Sequence, residues 1–166
     1  MADQELKYDL DGYEEVTAAM RILLNKYPGL AIGDEIAFAT LPETSGKAMY
    51  PISSAVIATE RESITGHVTQ TCVYPLHVIY RAANLTEDRR ARIKEWLDNL
   101  GRWLERQTIT VDDTEYKLDG YPALTGNRVI AQVQRQTAAY LDSVNENKSE
   151  NWVIYISAQY KNEFER

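Results

Sequence analysis

A single cysteine, Cys72, in 166 residues leaves no disulfide framework and no cysteine-based metal site. Histidine is almost as scarce: His67 and His77 sit near the two ends of one strand-like segment, too far apart for a local pair of metal ligands and with no carboxylates clustered beside them. Both read as structural or surface residues, and Cys72 as a buried, inert thiol. No apolar run approaches the length of a transmembrane helix. The start, Met1 to Glu5, is acidic and lacks the apolar stretch of a secretory leader, so the expected compartment is a reducing cytoplasm. Basic residues are outnumbered, with 18 Lys and Arg against 25 Asp and Glu and a net charge of −7, which argues against phosphate-backbone binding as the main task.

Reaction motifs are missing as well. Gly46-Lys47 has neither the earlier glycine nor the following Ser or Thr of a phosphate loop. Asp112-Asp113-Thr114-Glu115 with Asp119-Gly120 does not match a calcium loop and reads as a solvated turn. Asn84-Leu85-Thr86 and Asn147-Lys148-Ser149 satisfy the glycosylation pattern, but no leader is there to route them to it. No Gly-x-Ser-x-Gly elbow occurs. The expectation is a protein without catalytic, cofactor-binding or metal-binding residues, hence not an enzyme.

What is present is patterned apolar sequence in an ordinary globular composition, 44% hydrophobic and 26% charged, of a size suited to one domain over 1–166. A helix is expected from about Asp11 to Tyr27, capped by Asp9 or Asp11 and stopped at Tyr27-Pro28-Gly29, with Val16, Met20, Leu23 and Leu24 on its buried stripe. Glu35 to Ala39 reads as a short strand, Thr44 to Lys47 as an exposed loop, and Met49-Tyr50-Pro51 as the return to the body of the domain. Ala55 to Thr59 is a second strand, with Glu60 to Ser63 beginning a connection.

From His67 to Arg81 the even positions Val68, Gln70, Cys72, Tyr74, Leu76, Val78 and Tyr80 predict one buried face. Unbroken, this segment would reach roughly 50 Å, well beyond common strand lengths, so Pro75 is expected to mark a bend, a bulge or an edge. Thr86 then caps a second helix running to Leu104, whose Ile93, Trp96, Leu97, Leu100, Trp103 and Leu104 repeat at helical spacing, Trp96 being read as fully buried. Downstream, Ile109–Val111 and Tyr116–Leu118 form a hairpin around Asp112 to Glu115. Arg128 to Gln134 is extended, Thr137 to Val144 continues extended or turns once, Asn145 to Asn151 is a polar hairpin loop or flexible arm, and Trp152 to Tyr160 is the closing strand. The order predicts an α+β fold, a mainly antiparallel sheet packed by two principal helices.

One cluster of charge stands out. Arg89, Arg90, Arg92 and Lys94 crowd the start of the second helix, where the helix dipole disfavours cations. Glu87, Asp88 and a pair such as Asp88–Arg92 offset this, so the run reads first as a solvated helix face. It reads second, on an acidic chain, as a basic edge suited to head-to-tail contact with an identical neighbour.

The helix ending in Tyr27-Pro28-Gly29, then Ile36-Ala37-Phe38, Tyr74-Pro75-Leu76-His77-Val78-Ile79-Tyr80-Arg81, the helix Arg92 to Leu100 and the closing Ala158-Gln159-Tyr160 together resemble the tail terminator, or minor capsid, proteins of long-tailed bacteriophages. The resemblance implies a structural virion protein, assembled in the bacterial cytoplasm and residing at the head-proximal end of the tail. It would cap the finished tail tube as a homohexameric ring, with the tail tube protein, the head–tail connector protein and its own copies as partners, and with no cofactor, nucleic acid or membrane. Contact residues would come from the polar loops (Thr44, Lys47, Asn145, Lys148) and the basic helix start (Arg89, Arg90, Arg92, Lys94). A head-side connector or tail-completion protein of the same virion is the alternative within that class. A small-ligand or enzymatic α+β domain, with Tyr50, Tyr74 and Trp152 lining a pocket, is the alternative outside it.

Overall fold

A computed structural model of the chain describes residues 6–166; the acidic start read above as lacking a leader lies outside them. The fold is α+β: two helices and a mostly antiparallel seven-stranded sheet, with a separate two-stranded hairpin. In chain order the elements are α1 (Leu10–Leu24), β1 (Ala37–Phe38), β2 (Gly46–Pro51), β3 (Val56–Glu62), β4 (His67–Ala82), α2 (Glu87–Leu104), β5 (Ile109–Val111), β6 (Thr114–Tyr116), β7 (Arg128–Arg135), β8 (Tyr140–Val144) and β9 (Glu150–Glu165).

The long antiparallel pair β4–β9 is the spine, in register from His67↔Glu165 to Ala82↔Glu150. Each side of it carries two shorter strands end to end. On one side β2 lies along Leu76 to Arg81 and β3 along Val68 to Val73, with β1 parallel to β2 at the margin. On the other, β7 and β8 divide β9 between them.

This arrangement explains Pro75. The strand does not break there; it continues for 16 residues. The Pro75 carbonyl accepts from the Ile52 N–H at 3.0 Å, so its ring nitrogen points to the same side, where β2 has ended and β3 has not begun. Proline costs no ladder bond at such a local edge.

Both helices lie on one face. The even positions of β4 are buried as the alternation predicts, apart from half-buried Tyr80, and Cys72, Tyr74, Leu76 and Val78 join Val16, Met20, Leu23, Leu24, Leu97, Leu100, Leu104, Ile154 and Ile156. α1 is capped by Asp9, whose side chain accepts from Gly12 N–H, and it ends at Leu24, a little before Tyr27. The capping pair runs over Gly12 so closely that a Cβ there would overlap both Asp9 and Arg128. Thr86 caps α2 by accepting from Arg89 N–H. Gly101 lets α2 approach β7, since a Cβ there would meet the Arg135 side chain at 2.3 Å.

Several sequence boundaries shift. Gly46 and Lys47 belong to β2 rather than to a loop, and Glu60 to Glu62 belong to the exposed end of β3, where charged side chains are compatible with a strand because nothing buries them. The hairpin turn is only Asp112-Asp113, both with positive φ (48° and 64°), the conformation of a two-residue primed turn; Thr114 and Glu115 are in β6. Trp96 is half-buried, not fully buried: its Nε1 donates to the Gly29 carbonyl at 2.8 Å while the Tyr27 hydroxyl donates to the Trp96 carbonyl at 3.0 Å. The two rings meet edge to face with centroids 5.0 Å apart. The chain after α1 is thereby pinned to α2.

Candidate interaction surface

The spine ends with Ala82 opposite Glu150, so the exit of β4 towards α2 and the entry into β9 share one end of the sheet. Three segments meet there. The turn before β9 closes through Asn145 N–H to the Ser149 carbonyl and Lys148 N–H to the Asn145 carbonyl, both 2.8 Å, with Lys148 at φ 67°. Asn147 Oδ1 accepts from the Ser149 hydroxyl at 2.6 Å, and its Nδ2 donates to the Glu43 carbonyl at 3.0 Å. Arg81 ties the same two segments together, donating to Asn151 Oδ1 at 2.8 Å and to the Pro42 carbonyl at 3.0 Å. The third segment is the start of α2, where Arg90 grips the Glu150 carboxylate through Nε and Nη2, at 3.0 and 2.7 Å.

Thr44, Asn145, Lys148, Arg89 and Arg90, chosen from separate stretches of sequence, are thus on segments gathered at one end of the sheet. Of the two readings of Asn145 to Asn151, the hairpin loop holds for residues 145–149 and the flexible arm does not. Ser149, Glu150 and Asn151 are buried, and the last two are already in β9. Ser149 bonds Asn145, Asn147 and the Glu43 carbonyl, Glu150 accepts from Arg90 and Trp152, and Asn151 bonds Arg81, Asn145 and Ser143, which lets a polar sequence be buried with its groups paired. Thr44, Arg89 and Lys148 remain exposed.

The basic run at the start of α2 is largely engaged within the chain. Arg90 pairs with Glu150, whose carboxyl the Arg90 hydrogen bonds hold below its ordinary range despite burial. Arg92 pairs with Asp88 at 3.0 Å and Lys94 with Asp98 at 2.6 Å, each one helical turn away. Asp98 is buried and also accepts from Ala139 N–H at 2.8 Å, which anchors the approach to β8. Arg89 and Lys148 make no ion pair among the described residues. Lys47 points elsewhere: its Nζ lies 2.5 Å from Asp34 and over the rings of Tyr80 and Trp96, at 4.4 and 5.5 Å from their centroids. Its charge is held by a carboxylate and two aromatic faces, a structural clasp rather than a free contact.

The face of the sheet away from the helices carries a feature that the linear sequence hides. Strand pairing brings Tyr50 of β2, His77 of β4, Tyr155 of β9 and Tyr140 of β8 into one row, with successive ring centroids 5.7, 5.2 and 6.3 Å apart. His77 Nδ1 is buried in this row without a hydrogen-bond partner among the described residues. Burial holds the His77 pKa below its ordinary value, with Asp142 acting weakly in the opposite direction. The only sequence signal for the row was alternation within each strand; which residues stand side by side depended on register.

The remaining candidates for chemistry disperse. Tyr74 lies on the helix face, with its hydroxyl 2.7 Å from Thr17 Oγ1, while Tyr50 lies on the opposite face. Trp152 faces the helix side and donates to Glu150 at 3.2 Å, so the three rings share no pocket. Cys72 is fully buried, and burial pushes its thiol up to about 11. His67 stands at the far end of the sheet, its Nδ1 2.7 Å from Glu165 and its Nε2 3.8 Å from Glu163. Among the described residues no group of three or more His, Cys, Asp or Glu side chains is placed to hold a metal ion, and no helix is long and apolar enough to cross a membrane. Compared with known proteins, the chain matches no family model and no curated sequence.

Proposed function

We propose that the chain is a structural subunit of the phage tail terminator kind: a protein that associates with its own copies into a ring, six-membered in that family, caps the tail tube and presents its other face to the head connector. The observation that carries the reading is the convergence of loop 42–45, the Asn145–Ser149 turn and the start of α2 at one end of the sheet. These segments are rigidly tied to one another and still leave Thr44, Arg89 and Lys148 facing outwards. A preorganised polar platform on the end of a stiff two-stranded spine is suited to contacts with another protein, because little side-chain or loop ordering remains to oppose binding.

Two further features support association. One lateral margin of the sheet ends in exposed strands with apolar side chains, and the face away from the helices presents an aromatic row. The interface residues carried forward are Thr44, Arg89, Lys148 and the exposed side of Arg90. Lys47 and Lys94, each paired with a carboxylate of the same chain, are secondary. Disruption of the gene in the virus that carries it tests the reading directly: tails of aberrant length, or tails that fail to join heads, are expected. Tails of normal length joined to heads would overturn it.

A further inference from the structure

Two of the sheet's open edges, β8 and the segment before α1, lie on opposite margins; β1 and β7 are also paired on one side only. β8 is bonded to β9 on one side only, and all five of its residues are exposed, Leu141 at 41% and Val144 at 60%. Natural edge strands are commonly guarded by lysine, proline, short length or a bulge. β8 carries no lysine or proline; it is five residues long, with a bulge between Leu141 and Ser143 and Asp142 as its only charge.

The second edge precedes α1. The Lys7 carbonyl accepts from Ile57 N–H and Asp9 N–H donates to the Ala55 carbonyl, both at 2.8 Å, which places Tyr8 opposite Val56 as a non-hydrogen-bonded pair. In that geometry the backbone N–H and C=O of Tyr8 point away from β3. Tyr8 is 42% exposed and Leu6 62%, and Lys7 between them is exposed as well. Each margin therefore offers apolar side chains and, among the described residues, outward-facing backbone groups; its own strand charge is positive at Lys7, with Glu60 of β3 nearby, and negative at Asp142.

We infer that the β8 edge of one copy of this chain pairs with the Leu6–Tyr8 edge of another, Asp142 beside Lys7, joining the two sheets head to tail. Charge selects this pairing over the symmetric ones. β8 against β8 brings two Asp142 carboxylates together, and the leading segment against itself brings two Lys7 ammonium groups together, both disfavoured across neighbouring strands. Because the two edges are different surfaces of one molecule, repetition of the contact makes either a closed ring or an open chain of subunits. The inference deepens the ring reading and rests on it for closure; the strand pairing itself does not need it.

Cross-linking tests the pairing. Directly opposed cross-strand positions have Cβ atoms about 4.5–5.5 Å apart, near enough for a disulfide after a small adjustment. The full-length double variant Lys7→Cys with Asp142→Cys, concentrated and mildly oxidised, should give an intermolecular ladder, and each single variant at most a trace of dimer. The buried Cys72 stays out of the reaction. Charge reversal is the second arm: Asp142→Lys should weaken association in sedimentation by about tenfold, and adding Lys7→Asp should restore it. Absence of a ladder in the concentrated double variant, equal cross-linking by Asp142→Cys alone, or no restoration by the second charge change would each overturn the pairing. A ladder without any closed species would sink the ring and leave the pairing standing. Closed rings seen by electron microscopy without the cross-link would do the reverse.

Discussion

Asp9 caps α1 and also pairs with Arg128, 119 residues further along the chain: the guanidinium donates to Oδ1 at 2.7 Å and to Oδ2 at 2.9 Å. The Tyr160 hydroxyl donates to the same carboxylate at 2.7 Å, and Gly12 N–H at 3.1 Å. One buried side chain thus joins the first helix to β7 and β9. Burial alone would push the Asp9 carboxyl up, but the donors from Arg128, Tyr160 and Gly12 together outweigh it and hold the pKa below 3.8. Replacing Arg128 by Ala leaves a buried carboxylate without its cation and should cost about 3–5 kcal/mol, read as a lowered midpoint in urea with an unchanged slope.

Acid should act through the same residue. A carboxyl whose folded pKa is depressed contributes stability that is fully present above its unfolded value and is lost as pH falls through the folded one. Stability of the native protein should therefore drop below about pH 4, beyond what its other carboxyls contribute. Asp9→Asn should flatten that limb while lowering stability at neutral pH. An unchanged acid limb in the variant would remove Asp9 from the explanation.

His77 predicts a second pH dependence on the opposite face of the sheet. Its folded pKa is depressed by burial between Tyr50 of β2 and Tyr155 of β9, with Asp142 of β8 the charged group opposing the shift. The neutral form is favoured in the folded state, so its contribution is present above the ordinary value of 6.5 and is lost as pH falls below it. His77→Phe should abolish the stability slope just under pH 6.5 and should not reduce stability at pH 8, since the unpaired Nδ1 disappears with the ring. Titration of the imidazole by NMR gives an independent check.

Trp96 joins the segment after α1 to α2, and Lys47 rests on its ring. Trp96→Ala should destabilise the protein by about 3 kcal/mol, at the lower end for large aromatic truncations because the residue is half-buried. Trp96→Phe keeps most of the apolar area but loses the hydrogen bond to Gly29, and should cost about 1 kcal/mol. Thermal denaturation followed by circular dichroism would rank the three proteins.

The Cys72 thiol, buried and pushed up to about 11, should resist alkylation at pH 8 in the native protein and react only as the chain unfolds. Labelling measured across a urea titration should follow the unfolding curve. Rapid native-state labelling would show that the spine opens locally between β3 and β9.

Much of the fold was legible in local pattern. The alternation from Val68 to Tyr80 placed one face of β4 in the core, and the helical spacing from Ile93 to Leu104, with Thr86 as cap, located α2. Both signals come from one continuous stretch whose periodicity matches its backbone geometry. Boundaries that depended on a partner were harder to read. Gly46-Lys47 looked like a loop because only pairing with Tyr80 and Arg81 makes it a strand. Pro75 could be narrowed only to a bend, a bulge or an edge, because its place at a local edge depends on a gap between two other strands.

The candidate surface divides in the same way. Sequence alone determined that the chain is acidic, has a single thiol and builds a patterned α+β core, because composition and periodicity are properties of consecutive residues. The tertiary structure decided that Arg90, Lys94 and Lys47 are held by Glu150, Asp98 and Asp34, and that loop 42–45 and the Asn145–Ser149 turn form one platform. It also decided that Tyr50, His77, Tyr155 and Tyr140 stand in a row and that Leu6–Tyr8 and β8 lie on opposite margins. Those relations join residues remote in sequence through strand register, and register is set by the whole sheet rather than by any one segment.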